Sequence, residues 1–440
     1  MFAEFLSLPF QEIWLTTGLL WGFIKAWWWL PLPFWLWPRL AEYWLWWRQE
    51  LYGKRFDAMV VLEIKPPAEM QRPIKGMENV FSNLWTLYEG RNWKEKWIDG
   101  KFQRSFSVEI VGIDGFVHLL VRVPKNMRSL VETAFYAQYP EAEITEFGEY
   151  TKNVPEQIAD HPDWDVWGAS FRSNKLDVYP IKTYAQFFET SDLLPDEEQR
   201  LDPLSSLLEG LATLRPGEQM WIQLVLKPVT NEENNFIDRG KAEVDKLFGR
   251  KPKQEAFKPI FQQAAELLVV GETVEGKAEE EKQTFGAFLR TPGESKAIEA
   301  IEKKVGQRMY ECHMRFLYLG KEEVFFKPNV RLGFGFINQF TTEDWNSLRP
   351  ISQTMPSVTH FFVKLRNQWR KRKIFRYYKE RIPPTYPGDS ESTGKDGVFV
   401  LCTEELASLF HLPSRGVAPT PALPRVEAKR SQAPSDLPIG

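Results

Sequence analysis

The stretch FQRSFSVEIVGIDGFVHLLVRVP, Phe102 to Pro124, contains two apolar runs separated by the pair Asp114-Gly115. An Asp-Gly pair between apolar runs is typical of a tight β-hairpin turn, because both residues tolerate a positive φ. The two runs are therefore predicted to be neighbouring antiparallel strands. This hairpin lies at the centre of the first predicted domain.

The flanking segments supply a strand and a helix on each side of the hairpin. Ala58–Pro67 predicts a buried strand, and Lys75–Gly90 predicts a helix whose apolar residues share one face. Lys125–Pro140 predicts a second helix, and Ala142–Gly148 predicts a closing strand. The order β-α-β-β-α-β predicts a ferredoxin-like unit, with one antiparallel sheet and two helices on one face.

A second and looser set of segments has the same order of elements. The segments are an extended stretch, a helix, two strands, a helix and a closing strand, at Phe171–Tyr184, Asp202–Gly217, Glu218–Pro228, Met309–Gly320, Val324–Phe340 and Ser357–Leu365. A charged helical insertion at about 229–307 separates the two middle strands. The predicted class is α+β: N-terminal transmembrane or interfacial helices followed by two ferredoxin-like (β-α-β-β-α-β) units, with a helical insertion in the second.

Composition and motifs limit the chemistry that this chain can perform. The formal net charge of the 440 residues is -3, so any nucleic-acid contact requires a local basic patch. Cys312 and Cys402 provide neither a disulfide framework nor metal-ligand spacing. The sequence GDSESTGKDG at Gly388–Gly397 departs from the phosphate-binding pattern in spacing, and no helix follows it. We therefore expect that the chain is not an enzyme and that it binds no cofactor and no metal.

Many of the 18 tryptophans lie in one N-terminal stretch, residues 13–37, whose only charge is Lys25. As a helix, Ile13–Leu30 would span about 27 Å, close to the roughly 30 Å hydrocarbon core of a bilayer. The predicted membrane-anchor residues are Trp14, Trp21, Trp27, Trp28, Trp29, Trp35 and Trp37. Basic residues after this span predict a protein of the cytoplasmic membrane, with its N-terminus outside and its soluble domains cytoplasmic. A secretory signal fits poorly because there is no basic n-region, and a buried core helix is the other alternative.

One stretch near the C-terminal end, Lys364–Arg381, interleaves basic and aromatic residues. The candidate contact residues are Arg366, Arg370, Lys371, Arg372, Lys373, Arg376 and Lys379. Such a pattern can follow a nucleic-acid backbone while its rings stack on bases, and it can also lie on an anionic lipid surface. A solvated helix, or one that faces a partner protein, is the third interpretation.

The last segment predicts a short helix and a linker. The sequence TEELASLF begins at Thr403, and Leu406, Leu409 and Phe410 form a candidate face for docking a partner. Leu423–Gly440 is rich in proline, small residues and charges, which is typical of a linker. The predicted division of the chain is 1–56 (membrane anchor), 57–150 (first unit), 151–365 (second unit), 366–397 (basic-aromatic segment and loop) and 398–440 (docking helix and linker).

Several stretches together resemble a known family. They include VVLEIKPPAEMQRPIKGMENVFSNLWTLY, DVYPIKTYAQF, DPLSSLLEGLATLRPGEQMWIQLVLKP and LCTEELASLFHLPS. The ordered set is similar to the amino-terminal, pre-ATPase region of the bacterial type IV secretory system conjugative DNA-transfer family, over nearly the whole chain from about Leu6. The resemblance implies a membrane segment and a Pro-rich connection to a HerA/FtsK-like motor with a phosphate-binding loop.

The expectation that follows is a non-catalytic, membrane-anchored module of a DNA-transfer machine. It would dock to, or precede, a motor ATPase that lies on a separate polypeptide or further along a longer chain. The expected partners are the lipid bilayer, the motor or other secretion-system subunits, DNA and further copies of the chain. The alternative is a membrane-tethered binder of single-stranded nucleic acid, or an envelope scaffold, with no motor partner.

Overall fold

The computed structural model describes residues 21–22, 25–27, 29–55, 58–67, 74–187, 201–248, 292–342, 345–382, 397–413 and 423–424. The chain divides into two compact units. The first consists of Met1–Asp57 and Gly90–Phe102, and the second of Ala58–Glu89 and Gln103–Gly440. The divisions predicted at residues 150, 365 and 397 all fall inside the second unit.

The described part of the first unit contains one long helix, α1 (Pro31–Arg55), which packs against a short π-helix at Glu95–Asp99. The indole of Trp44 donates a hydrogen bond to the carbonyl of Trp97 (2.9 Å). Gly100 adopts a positive φ of 75° beside α1, where an added Cβ would lie 2.3 Å from the backbone oxygen of Arg48. A glycine is therefore required for this close approach.

The predicted membrane anchor needs correction. No helix among the described residues is both long enough and apolar enough to cross a bilayer, and α1 itself carries charges such as Arg39, Glu42 and Arg48. The predicted transmembrane helices, and the cytoplasmic-membrane location that depended on them, are wrong on this finding. Trp21, Trp27, Trp29, Trp35 and Trp37 are exposed. Trp14, Trp28 and most of the predicted span lie outside the described residues.

The second unit is built around one nine-stranded antiparallel sheet. Its strands are β1 (Met59–Lys65), β2 (Phe106–Ile113), β3 (Phe116–Pro124), β4 (Glu143–Phe147), β5 (Trp164–Ser173), β6 (Glu218–Val229), β7 (Met309–Lys321), β8 (Leu348–Pro350) and β9 (Phe399–Cys402). Their order is β4-β1-β3-β2-β6-β7-β5-β8, and β9 pairs with one end of β7. In the first half of the sheet the strands lie in the order fourth, first, third, second. If β5 to β8 are counted as the first to fourth strands of the second half, they lie in the reverse order: second, third, first, fourth.

Nine helices of the described chain belong to the second unit. They are α2 (Lys75–Leu84), α3 (Arg128–Gln138), α4 (Ser205–Ala212), α5 (Asn231–Asn234), α6 (Phe236–Leu247), α7 (Pro292–Val305), α8 (Val330–Asn338), α9 (Val363–Glu380) and α10 (Thr403–Leu409). The main core lies between one face of the sheet and the helices α2, α3, α4, α8 and α10. A smaller core on the opposite face includes Ile374, Phe375 and Tyr378 of α9.

The α+β class is what the structure shows, but the prediction of two ferredoxin-like units is wrong. The strands that were assigned to separate units form one sheet, because β2 pairs with β6 from Phe106↔Leu226 to Ile113↔Gln219. Nearly every residue of both strands is buried. Unpaired edges on such strands would leave buried backbone groups without hydrogen bonds, so the two edges satisfy each other.

Two strands of the second half were also predicted in the wrong places. The extended segment predicted at Phe171–Tyr184 is replaced by β5, which begins at Trp164, and the closing strand predicted at Ser357–Leu365 is replaced by β8. β5 contains Gly168 and two serines, which weaken a strand signal. Phe361 and Phe362 are apolar enough for a strand, but residues 360–362 form a bend that leads into α9.

Candidate nucleic-acid interface

Helix α9 carries most of the basic-aromatic segment and packs across the middle of the sheet. Its residues Ile374, Phe375 and Tyr378 are buried on the side that faces the sheet. The ring centroid of Tyr378 lies 5.4 Å from that of Trp221 in β6. Gly168 in β5 lets the helix approach, since an added Cβ would lie 3.0 Å from Ile374 Cδ1. One side of α9 is therefore fixed to the sheet, and the other side faces solvent.

A buried carboxylate holds the C-terminal end of α9 in place. Glu109 of β2 accepts hydrogen bonds from the Tyr150 hydroxyl (2.6 Å), Ser107 Oγ (2.7 Å) and Gln223 Nε2 (2.9 Å). Arg381, directly after the helix, donates to Glu109 through Nε (3.0 Å) and Nη2 (3.3 Å). Because the Tyr150 hydroxyl donates to Glu109, the Tyr378 hydroxyl donates to Tyr150 (2.8 Å).

The electrostatics of this network favour an ionised Glu109. Burial alone would raise the pKa of Glu109, but the charge of Arg381 and the hydrogen bonds from Arg381, Tyr150 and Ser107 lower the pKa to about 2. Arg381 adopts a left-handed conformation with φ 53°, which is unfavourable for a residue other than glycine. The ion pair therefore compensates for a strained helix end.

Arg315 of β7 lies beside this network and is fully buried. Its Nη2 donates to the carbonyl of Ile382, two residues after the end of α9. Its Nε and Nη1 have no hydrogen-bond partner among the described residues. Burial is the main reason that the pKa of Arg315 falls to about 9. A charged residue within an otherwise buried strand was the only sequence signal for Glu109 and Arg315.

The structure gives intramolecular carboxylate partners to three of the predicted contact residues. Lys371 pairs with Asp165, the guanidinium of Arg372 donates to both carboxylate oxygens of Asp160 (2.7 and 2.6 Å), and Lys379 pairs with Glu156 (3.1 Å). These partners lie on β5 and the segment that precedes it. The three cations therefore hold α9 against its own domain.

Two other predicted contact residues bond to backbone carbonyls. Arg370 Nη1 donates to the carbonyls of Ser352 (2.9 Å) and Met355 (2.8 Å). Arg366 Nη1 donates to the carbonyl of His360 (3.0 Å). Such bonds orient the guanidinium groups but do not neutralise their charge.

The outer face of α9 includes Leu365, Arg366, Trp369, Lys373 and Arg376, which are all exposed, and it ends at the exposed Glu380. No described carboxylate pairs with Arg366, Lys373 or Arg376. The Lys373 ammonium lies 4.8 Å from the ring centroid of Trp369, and the Arg376 guanidinium lies 5.5 Å from that of Tyr377. These residues recur at helical spacing over about 17 Å. Positive charge and an aromatic surface are thus combined on one solvent-facing stripe.

Sequence reasoning missed the two phenylalanines that precede this stripe. Phe361 and Phe362 are 82% and 77% exposed, and both have a positive φ. They were assigned to the closing strand predicted at Ser357–Leu365. Two adjacent phenylalanines directly before a basic helix were the available signal.

The predicted docking residues lie in the core instead of on the surface. Leu406, Leu409 and Phe410 are each 0% exposed, because α10 packs against α2 and belongs to the main core. Its two acidic residues are buried in ion pairs, Glu404 with Lys303 and Glu405 with Lys304. In this structure the three apolar side chains offer no surface to a partner, so their docking role loses its structural basis.

A family model described as a domain of unknown function (DUF8128) matches residues 49–422. The chain belongs to the DUF8128 family. The DUF8128 match includes the whole nine-stranded sheet, the buried Glu109 network and the outer face of α9. No curated protein matches the chain.

Within the described part of the chain, no group of three or more histidine, cysteine, aspartate or glutamate side chains could hold a metal ion. Many charged groups of the DUF8128 domain that lie near α9 are arranged in ion pairs, and others lie on the outer face. This arrangement suits the binding of a flexible polyanion through charge and ring stacking.

Proposed function

We propose that this chain is a non-catalytic module of a DNA-transfer machine, and that the outer face of α9 binds single-stranded nucleic acid. The observation that carries the proposal is the contrast between two sets of three α9 cations. Lys371, Arg372 and Lys379 are paired inside the domain, whereas Arg366, Lys373 and Arg376 face solvent without a described carboxylate partner.

Physical chemistry supports a polyanionic ligand at this face. Cations that release condensed counterions from phosphates are the main source of affinity for nucleic acids. An exposed aromatic ring adds about 1–3 kcal/mol for each stacked base, and it requires no particular sequence. Trp369, which is 57% exposed, lies between Arg366 and Lys373 along the helix and supplies such a ring. The DNA-transfer context rests on the sequence resemblance.

The experiment compares the full chain with the variant Arg366→Gln/Lys373→Gln/Arg376→Gln in binding a fluorescent oligothymidylate. At about 0.1 M salt each lost phosphate contact should weaken single-strand binding about fivefold, so three should weaken it about 100-fold. Two controls should bind like the wild type. Asp160→Asn/Arg372→Gln removes an α9 ion pair without changing the net charge. Lys241→Gln/Lys296→Gln/Lys327→Gln removes three exposed lysines elsewhere.

Two results would contradict the proposal. One is equal weakening by the α9 triple variant and by the triple lysine control, because binding would then depend on total charge alone. The other is saturable binding to vesicles of anionic lipid together with no binding to the oligonucleotide, because the stripe would then be a lipid-contact surface.

A further inference from the structure

Phe361 and Phe362 form an exposed pair of rings at the N-terminal end of α9. Their exposed fractions of 82% and 77% are larger than that of Trp369. Within the described part of the chain, no other aromatic ring stacks on either of them. Large apolar side chains this exposed, next to a charged stripe, mark a contact surface.

The backbone at this pair is strained. Phe361 has φ 49°, and Phe362 has φ 50° and ψ 40°, so two consecutive phenylalanines adopt the left-handed conformation. Each costs about 1–2 kcal/mol relative to a favoured conformation, and glycine would avoid most of that cost. Glycine would fit this turn with less strain, so two exposed phenylalanines in this conformation point to a function of their rings.

The surrounding residues hold the strained turn in place. The Asn367 side chain accepts a hydrogen bond from the backbone N–H of Val358 (2.9 Å). The Arg366 guanidinium donates to the carbonyl of His360, and its backbone N–H donates to the carbonyl of Phe362 (3.0 Å). The first turns of α9 thus hold the backbone of the segment that presents the two rings.

We propose that Phe361 and Phe362 are a stacking platform for unpaired bases, which makes the α9 interface select single strands over duplex. This inference rests on the proposed function, since the outer face of α9 supplies the phosphate contacts. In a duplex the faces of the bases are stacked on each other, so exposed rings cannot reach them. In a single strand each base has a free face, and an aromatic ring can stack on it.

The test uses full-length variants in which the two rings are changed and the cations are kept. Phe361→Gly/Phe362→Gly should weaken oligothymidylate binding at least tenfold, leave duplex binding unchanged and keep the salt dependence of the wild type. The same variant should be as stable to urea as the wild type or more stable, because glycine relieves the left-handed strain. A loss of affinity without a loss of stability is not expected of a merely structural turn.

Conservative variants separate stacking from apolar docking. Phe361→Tyr/Phe362→Tyr retains planar rings and should keep single-strand affinity within about threefold, whereas Phe361→Leu/Phe362→Leu should lose it like the glycine variant. Retained binding in the leucine variant would overturn the platform.

The failure of this inference can be distinguished from the failure of the proposed function. If the wild type binds single strands and the glycine variant binds them equally well, the platform is wrong but the α9 interface stands. If the wild type is a dimer and the glycine variant is a monomer with unchanged DNA affinity, the rings would instead mediate contact between two copies of the chain. Absence of single-strand binding by the wild type would overturn both proposals.

Discussion

Replacing Arg381 by methionine tests whether the buried Glu109 network holds α9 on the sheet. The pKa of Glu109 falls from 4.5 to about 2 in the folded protein, a difference of about 2.5 units. At about 1.4 kcal/mol per unit, this net shift, which includes the opposing effect of burial, corresponds to roughly 3 kcal/mol of the free energy of unfolding. Breaking a buried ion pair by removing one partner costs a similar 3–5 kcal/mol. We therefore expect Arg381→Met to lose about 3 kcal/mol at pH 7.

The loss should depend on pH in a defined direction. Because the pKa of Glu109 is lower in the folded state than in the unfolded state, its contribution is fully present above the unfolded value of 4.5. It is lost as the pH falls through 4.5 towards 2. The difference between wild type and Arg381→Met should therefore shrink by about 2 kcal/mol between pH 7 and pH 3.

Urea unfolding followed by circular dichroism measures both quantities. Arg372→Met is the matched control, since Arg372 is also basic and pairs with a carboxylate, but its side chain is 58% exposed. It should lose much less stability than Arg381→Met. Adding Glu109→Gln to Arg381→Met should recover part of the loss, because no buried charge is left unpaired. A loss below about 1 kcal/mol at pH 7, or a loss that does not change with pH, would refute the reasoning.

The remaining predictions concern packing and thiol reactivity. Leu406→Ala should cost about 2–5 kcal/mol in urea unfolding, because the side chain is fully buried in the main core; a cost near zero would restore Leu406 as a surface residue. Gly168→Ala should cost about 1–3 kcal/mol, because an added Cβ would lie 2.7 Å from a backbone oxygen in β7; unchanged thermal stability would contradict this contact. Cys312 and Cys402 are buried, and burial raises the pKa of both thiols, so a thiol reagent should modify them only after unfolding; rapid labelling of the native protein would be inconsistent with this burial.

The local elements around the central hairpin followed from the sequence because their signals are local. The Asp114-Gly115 turn and the apolar runs beside it determine β2 and β3, and Asp114 takes the positive φ that such a turn requires. The pairing between the two halves of the sheet could not be predicted from such local signals. Pairing of β2 with β6 depends on which strand edges meet in space, and the alternation of apolar residues says nothing about that choice.

The function of charged residues was harder to predict for a related reason. The eight basic residues on α9 look equivalent in the sequence, yet Arg372 has its carboxylate partner more than 200 positions away. Long-range pairing decides which cations remain available, and it has no periodic signal. The apolar positions of α10 were recognised correctly, but burial of Glu404 and Glu405 by lysines of α7 turned an expected surface helix into a core helix.

The central claim is that the outer face of α9 binds single-stranded nucleic acid through its three solvent-facing cations. The most direct measurement is the affinity of the full chain for a fluorescent oligothymidylate, by anisotropy, over a series of salt concentrations. With about 0.7 counterions released per contact, the account predicts that the logarithm of the association constant falls with the logarithm of salt with a slope of about -2 or steeper. Failure to bind at the lowest salt concentration, or binding with a slope near zero, would contradict it.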